Sequence, residues 1–175
     1  MSCVISGIGK TAAAAATAWI AGLNSDKDSI AWINIGTAGS STHAIGTALS
    51  IYKISDNETS QNFYPVPLLD SGLDSAHCQT LSQPSTEYHA QRIYDMEASA
   101  FFATACRFSS AELVHCVKII SDNPGQQTGR DKARISELIK FHIDRLTGIA
   151  ESLTELNKQM AQLEIKSRFN YRSKT

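Results

Sequence analysis

The stretch YDMEASAFFATACRFSSAELVHCVKIISDN, Tyr94 to Asn123, decides the reading of this chain. Its first half predicts a helix from Glu97 to Arg107. Ala98, Phe101, Phe102, Ala105 and Cys106 fall there on one apolar stripe at helical spacing. Its second half predicts a strand from Leu113 to Ile120, short, apolar and β-rich. A helix feeding a buried strand sets Glu97 at the helix start and Asp122 at the strand end. Two carboxylates then reach one rim of a sheet, the place where open α/β sheets bind ligands. Residue type alone leaves plainer roles open. Acids favour helix N-termini, and Ser121-Asp122-Asn123-Pro124-Gly125 has ordinary turn composition.

Working outward, Cys3–Ser6 reads as a short strand that Gly7 and Gly9 turn into a helix running to about Asn24. The run Ala12–Ala16 favours helix strongly and lets it pack close to a sheet. Ile30–Ile35 reads as a second strand ending at Gly36, and Leu49–Ile54 as a third. Asp56–Gln61 is turn-like. Phe63–Leu69 carries Pro65 and Pro67, so it is extended without being a central strand. His77–Leu81 reads as a further strand and Ser82–His89 as a loop. From Asp131 to Leu163 the sequence predicts one long amphipathic helix. Ile139, His142, Leu146, Ile149, Leu153, Leu156, Met160 and Leu163 keep three-four spacing, weakened at Gly148. Its first half is expected to cover the core and its second half to project toward a second subunit. The alternation predicts an α/β fold: a single domain over residues 1–175, with a central mixed sheet flanked by helices and a long C-terminal helix.

Composition narrows the function. A chain of 175 residues with 42% hydrophobic content buries a real core. A net charge of −1 gives no reason to expect nucleic acid or an anionic membrane as partner. The weakly polar run Thr11–Leu23 is too short and alanine-rich to span a bilayer. With no basic n-region or clean cleavage site, no signal peptide is expected. Cys3, Cys78, Cys106 and Cys116 form no CxxC pair, and three fall in apolar segments. They are expected to be reduced, buried thiols in a cytoplasmic protein. No His/Cys cluster has metal-ligand spacing, so no metal is expected.

Four ordered segments carry a family resemblance. Asp95-Met96-Glu97-Ala98 and Ile120-Ser121-Asp122 resemble the two signature segments of the nucleoside phosphorylase and nucleosidase superfamily. Ser6-Gly7-Ile8-Gly9-Lys10 resembles its glycine turn, and Ile33-Asn34-Ile35-Gly36-Thr37-Ala38-Gly39 its strand-to-loop segment below the ribose. They occur in family order along the chain, from Ser6 to Asp122. The resemblance implies that Glu97 grips the ribose hydroxyls, that Met96 packs on the sugar, and that Asp122 protonates the leaving base. Such roles suit a carboxylate that stabilises a cationic sugar and a partly desolvated aspartate acting as acid. Thr37 is placed to hold the nucleophile through its hydroxyl, and the turn at Gly7 to pack tightly or to bind an anion.

Departures from the family pattern set the subclass. Phosphorylases commonly carry a phosphate-binding arginine where this chain has Asn34, so the resemblance is to the nucleosidases, which use water. Lys118 stands where many members carry arginine, keeping the charge and losing the bidentate fork. The strand and loop that precede the glycine turn in the family, with the glutamate that activates water, are expected to be lacking. Phe63, Tyr64, Tyr88 and His89 are all candidates to stack on a base. The favoured reading is an enzyme, a homodimer or higher homo-oligomer, that hydrolyses a purine-type nucleoside without a cofactor. The alternatives are a nucleoside-binding module lacking the activator, a phosphorylase with phosphate as co-substrate, and an interaction protein working through its helices.

Overall fold

The computed structural model describes residues 2–27, 29–85, 87–127 and 131–172. In chain order the elements are α1 (Lys10–Leu23), β1 (Trp32–Gly39), β2 (Ala48–Asp56), β3 (Asn62–Phe63), β4 (Ser75–Thr80), β5 (Ile93–Asp95), α2 (Ala98–Ala105), β6 (Val114–Asn123), β7 (Gln126–Gln127), α3 (Lys132–Phe141) and α4 (Ile143–Arg172). The expected α/β architecture, a mixed sheet between helices with a long C-terminal helix, is what the chain adopts.

The strands lie in the order β3-β2-β4-β5-β1-β6-β7, and β2 also pairs with β6. That extra pairing closes β1, β6, β2, β4 and β5 into a ring. Within it β1 and β6 run parallel, as do β2 with β4 and β4 with β5. Two antiparallel seams complete the circuit: the single bridge Gly39↔Tyr94 and the pairing of Ala48–Ser50 with Val117–Ile119. The flanking strands β3 and β7 have two residues each, which keeps the exposed edges short.

Alternation along the strands makes two cores. Trp32, Ala38, Val114, Cys116 and Ile120 face one side and pack with Ala13 and Ala21 of α1 and Phe101, Phe102 and Ala105 of α2. The alanine-rich α1 thus lies close to α2, as its small side chains allow. On the other side Val117 and Ile119 pack with Leu146 and Ile149 of α4 and with Ile33.

Several local expectations are corrected. Cys3–Ser6 forms no strand: no neighbour pairs with it, and Ile5 is 94% exposed. Cys3 is exposed as well, so the expectation of a buried thiol holds for Cys78 and Cys116, while Cys106 is half-buried. The strand read as Ile30–Ile35 begins at Trp32 and runs through Gly36 to Gly39. Gly36 is an interior strand residue because a Cβ there would stand 3.0 Å from Lys118 Nζ; the glycine makes room for a side chain across the ladder. Strand β5 was not foreseen, since three residues carry no periodicity. The C-terminal helix is two helices: it breaks at His142, whose Nε2 lies 2.7 Å from the carbonyl of Gly46, and stays unbroken at Gly148. Leu146, Ile149 and Leu153 are buried as expected of a core-covering stripe, whereas Leu163 is 64% exposed. The loop expected over Ser82–His89 is irregular, with Thr86 outside the described residues.

Candidate active site at the rim of the ring

The strand ends gather several polar side chains at one end of the ring. Gly39, the last residue of β1, pairs with Tyr94 on one side and Asp122 on the other. Asp122 and Tyr94 are therefore two strand spacings apart, roughly 10 Å, and Glu97 lies two residues past the end of β5. Tyr94 and Asp122 thus flank Gly39, and Glu97 lies three residues beyond Tyr94.

Glu97 occupies the N-cap position of α2. Its Oε1 accepts a 2.7 Å bond from the backbone N–H of Gly9. The turn delivering that N–H needs positive φ at Gly7 (85°) and Gly9 (95°), which glycine adopts without strain. The cap itself is made by Asp95, whose Oδ2 accepts from Ala98 N at 2.7 Å and Glu97 N at 3.2 Å. Met96 is half-buried between these two acids.

Behind Glu97 runs a buried polar network that the sequence did not announce. Lys118 Nζ lies 2.8 Å from Asp95 Oδ2, with both side chains fully buried. The ammonium approaches at an angle poor for a hydrogen bond, so the contact is best described as an ion pair. Thr80 donates to Asp95 Oδ1 at 2.7 Å and accepts from Ser99 N at 3.0 Å. Ser99 Oγ donates to Asp56 Oδ2 at 2.6 Å, and Lys10 Nζ pairs with the same carboxylate at 3.0 Å. Burial opposes the charge on Asp95, yet the Lys118 ammonium and the bonds from Thr80 and Ala98 hold its pKa below the ordinary value. Burial likewise opposes the charge on Lys118, and the Asp95 carboxylate overcomes it and raises that pKa. Asp56 is also depressed: burial works against it, and the bonds from Ser99, Thr59 N and Lys10 prevail. The Cys116 thiol nearby is pushed up to about 12 by burial.

Asp122 closes the other side of the rim. Ser121 Oγ donates to its Oδ2 at 2.6 Å, and its carbonyl accepts from Ser40 N at 2.9 Å. The turn after β1 is organised by Ser40, whose Oγ accepts from Thr42 N and His43 N and lies 3.0 Å from His43 Nδ1. Tyr88 stands over this junction. Its ring packs on Tyr94 at 5.4 Å between centroids, and a Cβ on Gly39 would come within 2.6 Å of it. Burial first, and then the charge of Asp122, raises the Tyr88 pKa, so that hydroxyl feels the Asp122 carboxylate.

The other predicted residues take varied places. Lys118 is enclosed in the ring interior. Asn34, on the same face of β1 as Gly36, has a buried Oδ1 that no protein donor among the described residues meets. Thr37 sits half-buried on β1 opposite Ile119. Gly7 belongs to the turn ahead of α1 that brings the Gly9 N–H to Glu97. Of the four aromatic candidates, Tyr88 is the one at Asp122. Phe63 packs on Phe102, Tyr64 lies exposed beneath Lys53, and His89 lines a separate cavity. Asp56, Thr80 and Ser40 were missed because a polar residue at a strand end looks like turn chemistry in sequence, and Ser99 because a lone serine in the first turn of α2 breaks no helical pattern. No group of three or more His, Cys, Asp or Glu residues able to hold a metal occurs among the described residues. No described helix is long and apolar enough to cross a membrane.

Solved structures share this arrangement of strands and helices. A nucleosidase of Chlamydia trachomatis superposes with a TM-score of 0.64 at 20% identity, over 86% of this chain and 76% of that one. The chain has the nucleosidase fold. The 5'-methylthioadenosine/S-adenosylhomocysteine nucleosidase of Neisseria meningitidis, bound to methylthio-immucillin-A, gives 0.61 at 17% identity, over 86% and 78%. That of Colwellia psychrerythraea, in complex with adenine, gives 0.55 at 18% identity, over 81% and 76%. The chain spans 64% of the length of another structure of the Chlamydia protein. No family model and no curated protein matches the sequence.

The network makes two measurable demands. Lys118→Met leaves Asp95 buried without its counter-charge and is expected to cost about 3–5 kcal/mol, read as a lower urea midpoint with unchanged slope. Asp56 and Asp95 have depressed folded pKa values, so their contribution is complete above the ordinary carboxylate value near 4. It is lost as pH falls through the lower, folded values. Urea midpoints should hold steady above about pH 5 and drop below it, and Asp56→Asn should flatten that drop.

Proposed function

We propose that the chain hydrolyses the N-glycosidic bond of a purine-type nucleoside, using Glu97 on the sugar and Asp122 on the base. The observation that carries this reading is the placement of Glu97. Its carboxylate is fixed at the strand-end rim by Gly9 N, two residues from the buried Asp95 that anchors the helix start. The Gly9 N–H on Oε1 and a longer 3.4 Å bond from Met96 N on Oε2 orient it and leave acceptor capacity for ribose hydroxyls. As the C1′–N bond breaks, its electrons pass to the base and positive charge gathers on the sugar, where Glu97 stabilises it. Asp122 gives the departing base a proton, with Ser121 orienting its carboxyl, and Tyr88 offers the base a ring beside it. Water adds at C1′ and yields ribose, and the proton it releases restores the one that Asp122 gave to the base. The nucleosidase structures holding adenine or an immucillin support a purine as the leaving base.

Water is favoured over phosphate by what the cationic and N–H groups already do. The Gly9 N–H is spent on Glu97, and Lys118 is enclosed with Asp95. Asn34 supplies no charge. No cofactor is called for in this scheme.

Self-association belongs to the same reading. Trp19 and Leu23, one turn apart on α1, are 59% and 63% exposed, and Ile8 beside the helix start is 78% exposed. We take this strip as the contact of a two-fold dimer, in which both copies bury the same residues.

Glu97→Gln keeps the bond from Gly9 and loses the charge. It is expected to lower kcat/KM by about 1.5–3 kcal/mol, roughly ten- to a hundredfold. A panel of nucleosides assayed with and without phosphate should release free ribose at a rate indifferent to phosphate; ribose-1-phosphate as product would refute the hydrolytic reading. Light scattering at micromolar concentration should give twice the chain mass, reduced to one by Trp19→Glu. A monomer mass for the unaltered chain removes the interface.

A further inference from the structure

Strands β4 and β5 turn two faces to different surroundings. Thr80 and Asp95 point into the Lys118 network, so the alternate residues Gln79 and Tyr94 point the other way. On that second face lies a cavity of about 640 Å³, walled by Asn57, Gln79, Arg92 and Tyr94 and edged by Glu87 and His89. Neither Glu97 nor Asp122 lines it.

Arg92 is held in this wall by a chain of amides. Its Nη1 donates to Gln79 Oε1 at 2.6 Å, and Gln79 Nε2 donates in turn to Asn57 Oδ1 at 2.6 Å. The guanidinium is half-buried. Its Nε is buried and meets no acceptor among the described residues, and no described carboxylate lies within ion-pairing distance of it. A cation drawn partly out of water without counter-charge or full hydrogen bonding is costly. Fixing its orientation beforehand lowers what an incoming oxyanion must order.

We propose that this cavity binds a small organic carboxylate, with Arg92 as the group that grips it. The planar guanidinium matches a carboxylate through two parallel N–H donors. The volume falls in the range of small-molecule sites and far exceeds a lone carboxylate, so the anion is one end of a larger molecule. Glu87 at the edge puts a negative charge there. It disfavours a doubly charged phosphate and leaves a monocarboxylate, or one that carries its own cationic group, as the better fit. The proposal stands apart from the nucleoside reading, because the two sites share no catalytic residue.

The test is ¹H–¹⁵N NMR of the full chain titrated with acetate, glycine and inorganic phosphate at constant ionic strength. The Arg92 Nε–H signal, identified by its loss in Arg92→Lys, should shift saturably with acetate and glycine. The backbone amides of Gln79 and Tyr94 should move with it, and stay still in Arg92→Lys. Gln79→Met keeps the guanidinium and removes its tether; it should weaken binding severalfold, which covers the case of an unfolded Arg92→Lys. Absence of a saturable shift overturns the site. Stronger binding of phosphate overturns the ligand class. A shift that emerges only in Glu87→Gln shows that Glu87 itself occupies the guanidinium, and overturns the proposal equally.

Discussion

A lysine and an aspartate with fully buried side chains set the terms for this molecule. Lys118 and Asp95 meet at 2.8 Å inside the ring, where either charge alone would be intolerable. Everything next to them serves that pair. Gly36 gives up a side chain so that Lys118 fits across the ladder, and Thr80 and the first turn of α2 supply hydrogen bonds to Asp95. Asp95 thereby joins four elements at once: its own strand, β4 through Thr80, the start of α2, and β6 through Lys118. A second buried acid, Asp56, repeats the device two strands away, tying the end of β2 to Ser99 of α2 and Lys10 of α1.

The consequence for function is positional. Helix α2 cannot slide or rotate without breaking the Asp95 cap, so Glu97 is presented at a fixed place. The Gly7–Gly9 turn then closes on it from α1. A side chain held this way has little freedom to lose when a ligand arrives, which is how a rim residue gains from a rigid scaffold. Ring closure does the same for Asp122. The single bridge between Gly39 and Tyr94 draws β5 against β1, and β6 lies on the other side of β1. Without that bridge the ring would be open between β5 and β1.

The C-terminal helices answer a different need. The side of the sheet away from α1 and α2 carries Val117 and Ile119, which require cover, and Leu146 and Ile149 provide it. The break at His142 lets α3 and α4 take separate directions across that surface, with His142 meeting the Gly46 carbonyl in the turn before β2. Beyond Leu153 the stripe outruns the sheet, which is why Leu163 is exposed.

Sequence patterning by itself determined the element types where the signal is long and local: the alanine-rich helix, the apolar strand around Ile119, the amphipathic C-terminal stretch, and the acids at Glu97 and Asp122. Periodicity and capping are properties of neighbours in the chain, so they survive without a structure. Tertiary structure alone decided the rest. Three residues of β5 become a strand because β4 and β1 flank them, and Cys3–Ser6 stays irregular because nothing does. Gly36 continues its strand because Lys118 needs the space. Lys118, which as sequence reads as a cation awaiting an anion from outside, finds one inside, from a residue 23 positions earlier in the chain. Tyr88 was one aromatic of four until the bridge at Gly39 put it over Asp122. In each case the deciding partner is distant in sequence, and the energy that selects it is burial, which exists only once the chain has closed around it.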